Sequence, residues 1–369
     1  MKFSCEKYLI QQAVSIASRC TASKSPIPAL EGLLIEAGND VKITGYDLKK
    51  GIYTNFPADV AEPGAIVLNS RLFGEIVRSL PDGIVSLNIE KNNIVEIKCG
   101  DAEFSLIGTD SGEFPELPAV EKENAISVPQ DILGKMLRQT IFAVSDNESR
   151  PIYTGALFEV ENDELVIVAV DGFRLSLRRE RVKTGSLESC RFIVPGTALS
   201  DVEKLCTDSE GTADITVGAK HVSFVIGSTV LISRRLEGEF LNYQKSVPTE
   251  FAIVMEVARE NLLRSVSRVS LVIDEKMKNP LKVFVGPEFV NVSCTTGIGS
   301  GEDRCPAKMK EGQAVLTIGL NNRYLLDVLK AAPDDMIRIG LNNANSPCVI
   351  FPSEGDGFAY MILPVRLRV

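Results

Sequence analysis

Histidine occurs once in these 369 residues, at His221. Metal sites built on several imidazoles, and Ser-His-Asp or Cys-His nucleophilic catalysis, therefore have almost nothing to draw on. Cysteine is present at Cys5, Cys20, Cys99, Cys190, Cys206, Cys294, Cys305 and Cys348, but no two of these form a C-x-x-C pair. Structural zinc favours closely spaced thiolates. The eight are expected to be reduced, mostly buried small residues, as in a reducing compartment. No cofactor and no metal is called for. No stretch reaches the roughly 20 apolar residues of a membrane helix, so no membrane partner is expected. The N-terminus, MKFSCEKYLIQQ, carries charge where a secretory signal needs an apolar run, which points to the cytoplasm. Basic residues are outnumbered as well: 40 Lys and Arg face 49 Asp and Glu, a net charge of -9. Taken alone, that balance argues against a nucleic-acid binder, although a global charge does not say where charge sits.

What the chain does have is an ordinary globular composition, with 44% hydrophobic and 24% charged residues, and enough length for two or three domains. It also repeats itself. Met1-Lys2-Phe3-Ser4 precedes a helical stretch from Lys7 to Arg19, Ile126-Ser127-Val128-Pro129 precedes one from Gln130 to Val144, and Phe251 to Val257 precedes one from Arg259 to Leu271. These starts lie about 125 residues apart, a domain-sized period. In the second, Ile132, Met136, Leu137, Ile141 and Val144 share one helical face.

Each third holds a second, weaker copy of the unit: Ile66-Val67-Leu68 before Ser70 to Leu80, Phe192-Ile193-Val194 before Gly196 to Cys206, and Val315 to Ile318 before Asn321 to Ala332. Pro81-Asp82-Gly83 and Pro333-Asp334-Asp335 end two of these helices with turn chemistry. Alternating strand patterns follow at Ile84 to Ile89, Ile94 to Ile97 and Val222 to Ile226, with Asn92-Asn93 as a hairpin turn between the first two. The first two thirds close alike, on Ser111-Gly112-Glu113-Phe114-Pro115 and Leu236-Glu237-Gly238-Glu239-Phe240, each followed by a proline-bearing linker. The reading is α+β: three tandem domains over 1–122, 123–249 and 250–369, each of two strand-helix-strands units.

Charge on the expected helices runs against that of the chain. Lys7, Arg19, Arg71, Arg78, Lys135, Arg138, Lys204, Arg264, Arg268, Arg323 and Lys330 outnumber Glu75, Asp131, Asp201, Glu203, Glu260 and Asp327. Helices gathered on one surface would make it positive while the remainder stays negative. Phosphate contact without base reading needs little more. Separately hydrated helix faces are the plainer account of each residue alone.

Longer motifs resemble a known family. Arg150-Pro151-Ile152-Tyr153-Thr154-Gly155-Ala156-Leu157-Phe158, Val170-Asp171-Gly172-Phe173-Arg174-Leu175, Glu237-Gly238-Glu239-Phe240 with Asn242-Tyr243, and the ending Tyr360-Met361-Ile362-Leu363-Pro364-Val365-Arg366-Leu367 are similar to bacterial sliding clamps, the beta subunits of DNA polymerase III. The similarity covers the whole chain and agrees with its threefold period. It implies a processivity factor, not an enzyme. Such a factor is a head-to-tail homodimeric ring with helices lining the hole and sheets outside, sliding on double-stranded DNA without sequence specificity.

The resemblance further implies partners, namely the polymerase III alpha subunit, the clamp loader and other clamp-motif proteins. These dock peptides with Gln, Leu and Phe-type anchors between the second and third domains. It places Tyr153, Val170, Gly172, Phe173, Arg174, Leu175, Leu241, Lys245, Ser246, Ile362, Leu363, Pro364, Val365 and Arg366 in that groove, with apolar walls for the anchors and Arg174 and Arg366 fixing orientation. Leu241 stands where the family often has proline, Phe173 where it has histidine, Leu363 where it has methionine, and Tyr153 replaces an aliphatic residue; Arg368-Val369 extend past the usual final leucine. Phe104 and Leu106 on an edge strand, with Leu271 and Val272, align with the subunit contact. Arg19, Lys24, Arg71, Arg78, Lys135, Arg138, Lys204, Arg264, Arg268 and Arg323 are the expected DNA-facing set.

Two other classes compete. A DNA-processing enzyme would need a site, but Glu302-Asp303 and Asp334-Asp335 are adjacent carboxylates that diverge in most secondary structures, and Glu113 and Asp171 have no companion set. Gly297-Ile298-Gly299-Ser300-Gly301 lacks the Lys-Thr ending of a phosphate loop and runs into two acids. A peptide-binding scaffold that never encircles DNA would keep the groove without a positive lumen.

Overall fold

The first strand, Lys2–Glu6, buries Phe3 and Cys5 on one side, and the helix Lys7–Ala17 follows without a break. Ile10, Ala13, Val14 and Ala17 return on one face at three- and four-residue intervals and are all buried. The small residue at Ala17 lets backbone meet backbone: a Cβ on Gly45 would lie 2.1 Å from the Ala17 carbonyl oxygen, so only glycine fits there. The computed structural model describes residues 1–121, 124–183, 189–207, 210–273, 279–312 and 315–367. The extension at 368–369 lies outside them.

The strand-then-helix unit recurs as the sequence pattern implies. Helices span Ser70–Ser79, Gln130–Arg138, Gly196–Leu205, Arg259–Ser270 and Asn322–Ala331, with one further turn at Tyr243–Ser246. Asparagines start two of them: Asn69 Oδ1 accepts from the Leu72 N–H at 3.0 Å, and Asn321 Oδ1 from the N–H groups of Arg323 and Tyr324 at 2.9 and 3.3 Å. Gln130–Arg138 is much shorter than the expected run to Val144. The Thr140 hydroxyl donates back to the Met136 carbonyl at 2.7 Å and ends the helix, leaving Ile141–Ala143 as a separate 3-10 turn. Arg19 likewise falls in a 3-10 turn, Ser18–Cys20, and Leu271 caps its helix rather than continuing it. Asn92 and Asn93 take φ of 63° and 58°, the conformation of a tight hairpin turn. Gly297 and Ile298 turn another hairpin, closed by the pairing of Thr296 with Gly299.

The chain forms two compact units. One holds Met1–Asp131 with Lys204–Arg235, the other Ile132–Glu203 with Leu236–Val369. Sheets explain the split. In the first unit, a five-stranded sheet accompanies an eight-stranded one in which Lys50–Phe56 pairs with Thr229–Arg234, Thr54 opposite Thr229. In the second, twelve strands run continuously because Arg174–Arg181 pairs with Phe358–Ile362. The middle third thus gives strands to both sheets, so compactness follows pairing and not chain order.

Helices pack on the sheets in each unit. Arg259–Ser270 and Asn322–Ala331 seal a core that includes Met255, Val266, Val283, Val292, Leu329 and Tyr360. Six cysteines, Cys5, Cys20, Cys99, Cys294, Cys305 and Cys348, are buried thiols, and burial pushes Cys5 and Cys348 up to about 12. No helix among the described residues is long and apolar enough to cross a membrane.

Candidate functional site

The second unit contains the residues expected to form a peptide groove. Its floor is an apolar cluster on one face of the long sheet, with Val170, Leu175, Phe240, Tyr243, Val349 and Met361 buried. Ile152, Tyr153, Leu241, Val247 and Leu363 pack against it while staying partly open to solvent. Tyr153 meets Phe240 edge to face, with ring centres 5.7 Å apart.

Turn chemistry makes one wall. Gly172 sits at φ 94°, and Asp171 Oδ1 accepts from the N–H groups of Phe173 and Arg174 at 2.8 and 2.9 Å. This tight turn pushes Phe173 outward, 62% exposed. The C-terminal tail is joined to this turn, the Leu363 N–H donating to the Phe173 carbonyl at 2.8 Å. Ile362 is buried and pairs with Arg174; Leu363 and Pro364 are half-buried, and Val365 and Arg366 exposed. The linker turn Tyr243–Ser246 packs its Tyr243 into the same cluster. Asn242 caps it, Lys245 is exposed, and the buried Tyr243 hydroxyl donates to Glu159. Burial, and then that bond, push the Tyr243 phenol up to about 12.

Arg174 is already engaged within the protein. Its Nε donates to Asp171 at 2.9 Å, Nη1 to Asp327 at 2.6 Å and Nη2 to the Phe142 carbonyl at 2.6 Å, and the guanidinium covers the Tyr324 ring at 4.5 Å. With 12% of its side chain exposed, it braces the turn from within. Sequence reasoning had no means of placing Asp327 and Phe142 beside it, since both lie far along the chain.

On the helices, most basic side chains are exposed but often paired, while Lys7 and Arg259 keep only 13% and 20% of their side chains exposed. Arg71 reaches Glu75 at 3.1 Å, Arg138 reaches Glu203 at 2.9 Å, and Arg264 reaches Glu260 at 3.0 Å. Exposed pairs of this kind are worth about 0–1 kcal/mol, so a phosphate can displace them readily. Arg268 is held harder, 2.6 Å from Asp303. Partial burial alone would raise the Asp303 carboxyl, yet the Arg268 contact brings it below its ordinary value. Arg78, Lys135, Lys204 and Arg323 are exposed, as is Lys24 in its loop; Arg19 is half-buried. Arg19 and Lys204 border one cavity of about 440 Å³ in the first unit, and Arg71 and Arg78 another of about 720 Å³. In the second unit, Lys135, Arg138 and Lys330 line a cavity of about 470 Å³. Together the six longer helices carry eleven basic and six acidic residues.

At the subunit-contact candidates, Ala102–Ile107 is the outermost strand of the five-stranded sheet. Phe104 is 37% exposed and Leu106 half-buried, while Ile107, outside the expected set, is 86% exposed. Leu271 is 83% exposed, Val272 is half-buried, and Ile298, also outside the expected set, is exposed. Three of the carboxylates considered for catalysis are engaged otherwise: Asp171 and Asp303 with arginines, Glu302 with Asn291. Among the described residues no group of His, Cys, Asp or Glu is placed to hold a metal.

Tandem strand–helix units whose sheets are shared between successive thirds, with basic exposed helix faces, define the DNA-clamp class of protein. Profiles for the DNA polymerase III beta subunit match in order, the N-terminal domain at residues 1–118, the central domain at 127–242 and the C-terminal domain at 244–366. The beta sliding clamp of Bacillus subtilis is 32% identical over 99% of this chain and 100% of its own length, and that of Staphylococcus aureus strain Mu50 is 30% identical over 99% of each. A crystal structure of the Bacillus subtilis clamp covers all of both chains at a TM-score of 0.95 and 31% identity. A Bartonella birtlesii sliding clamp, bound to griselimycin, does so at 0.93 and 26%. The chain belongs to the DNA polymerase III beta subunit family, the beta sliding clamps, and is a DNA polymerase processivity factor.

Proposed function

We propose that two copies associate head to tail into a ring around double-stranded DNA, helices inward, and that the ring slides without reading sequence. The carrying observation is the basic excess on helices of a chain whose net charge is -9. A duplex held topologically needs only weak, non-specific phosphate contacts, and strong ones would act as brakes. Arg71, Arg78, Lys135, Arg138, Lys204, Arg264 and Arg323, with Lys24, Arg19 and Arg268 as secondary members, are the residues that face DNA. Phe104, Leu106 and Ile107 of one copy meet Leu271, Val272 and Ile298 of the other, an edge strand against a helix end and a hairpin turn.

The same reading assigns the apolar cleft to peptides of the polymerase, the clamp loader and other partners. An aliphatic or aromatic anchor would rest on the floor formed by Val170, Leu175 and Met361, between Phe173 and the tail from Leu363 to Arg366. The protein works as an accessory tether, with no catalytic step of its own. Negative-stain imaging with a solution mass from the same sample tests the ring. A dimer-sized annulus with a stain-filled hole is the expected result, and a particle without a hole would remove the central claim in favour of a scaffold that does not encircle DNA.

A further inference from the structure

The two walls of the groove, the turn from Asp171 to Arg174 and the tail from Leu363 to Arg366, come from chain segments almost 200 residues apart. Past the sheet register they touch through one backbone bond, Leu363 N–H to Phe173 O at 2.8 Å. Each wall is also tied to a third segment, the strand Leu316–Leu320 and the helix Asn322–Ala331 that follows it. On the strand, the Gly319 carbonyl accepts from the Val365 N–H at 2.8 Å. A Cβ on Gly319 would lie 2.3 Å from the Val365 carbonyl oxygen and 3.0 Å from Leu367 Cδ2, so the tail can lie there only because this residue has no side chain. On the helix, Asp327 Oδ2 accepts from Arg174 Nη1 at 2.6 Å, and the same guanidinium donates to Asp171 in the turn.

We propose that Asp327 and Gly319 are positioning residues of the peptide groove, which fix its width by tying both walls to one strand–helix segment. This rests on the assignment of the cleft to peptides. Asp327 acts through Arg174: a planar guanidinium shared between two carboxylates has its fork geometry fixed at both ends, and so fixes the turn that presents Phe173. Gly319 acts through the main chain of the tail. Because Arg323 of the proposed DNA-facing set lies on the same helix as Asp327, the segment that faces DNA in the proposed ring is also the one that frames the groove. Neither Asp327 nor Gly319 needs to touch the bound peptide.

The test uses the full chain as Asp327→Asn, Asp327→Glu and Gly319→Ala. A fluorescein-labelled peptide carrying Gln, Leu and Phe anchors is titrated by anisotropy, and amide hydrogen exchange is followed across 171–178 and 358–367. Asp327→Asn and Gly319→Ala are each expected to weaken the peptide on the order of tenfold. Exchange should speed up at the Leu363 amide in the first and at the Val365 amide in the second, with exchange elsewhere unchanged. Asp327→Glu, which keeps the charge, should recover most of the affinity; a purely volumetric role for Asp327 would not give that recovery. Wild-type affinity and wild-type exchange in both Asp327→Asn and Gly319→Ala would overturn the proposal. A wild-type protein that fails to bind the peptide defeats the peptide assignment instead, and the two amides then still decide whether Asp327 and Gly319 hold the walls.

Discussion

The backbone N–H of Leu363 donates to the carbonyl of Phe173 at 2.8 Å, one step beyond the last paired residues of the two strands that lead there, Arg174 and Ile362. The tail therefore leaves the sheet as a continuation of its pairing. Removing residues 364–369 should leave that sheet intact, because Ile362 and Met361 stay paired and buried. It removes Pro364, Val365 and Arg366 from the groove and frees the Gly319 carbonyl. We expect the truncated protein to melt within a few degrees of the full chain and to bind a clamp-motif peptide at least about tenfold more weakly, roughly 1.4 kcal/mol. Undiminished affinity by anisotropy or calorimetry would move the peptide site away from the tail.

Arg71, Arg138 and Arg264 each pair with a carboxylate on or near their own helix, and all three are more than half exposed. Replacing the three together with alanine should change stability by no more than about 1 kcal/mol for each pair lost. Retention on circular DNA, by contrast, should fall, and the salt dependence of binding should flatten by about 0.9 in log–log slope for each phosphate contact removed. Retention equal to wild type at low and high salt would favour a scaffold that does not encircle DNA.

Legibility from sequence differed between levels. The unit of strand and helix could be read because its apolar residues recur locally, as Ile10, Ala13, Val14 and Ala17 do in the first helix. The floor of the groove could be placed only through whole motifs, since Val170 and Met361 look like any core residue. The joining of Lys50–Phe56 to Thr229–Arg234 was invisible, because edge pairing between distant strands leaves no periodic mark. The partners of Arg174 are hidden for the same reason: Asp327 and Phe142 both lie outside its own sequence neighbourhood. Ile107 went unnoticed because alternation around Ser105 drew attention to Phe104 and Leu106.

A test of the subunit contact follows from Leu271 and Ile107, exposed by 83% and 86% in the single chain. Side chains of that kind at a sheet edge and a helix end gain about 25 cal/mol for each Å² of apolar surface covered. Leu271→Glu places a charge there without disturbing a core, since the residue has little to pack against within its own chain. Sedimentation should show a dimer for the wild type and a monomer for the variant, with peptide affinity retained, because the groove lies within one compact unit. A variant that remains dimeric would place the contact elsewhere.

Alkaline pH should weaken the fold before it ionises the native groups. Burial raises Cys5 and Cys348 from 9.0 to about 12 and Cys305 to about 11; burial together with the Glu159 bond raises Tyr243 from 10.0 to about 12. In each case the folded protein keeps a proton that the unfolded chain releases. The stabilisation is thus complete below pH 9, where both states are protonated, and is lost as pH climbs from about 9 toward the folded values. Urea unfolding followed between pH 8 and 11 should show the midpoint falling steadily above pH 9, and less steeply in Cys348→Val, which removes one titrating thiol from the core. A midpoint independent of pH across that range would mean that these groups are more open to water than their burial indicates.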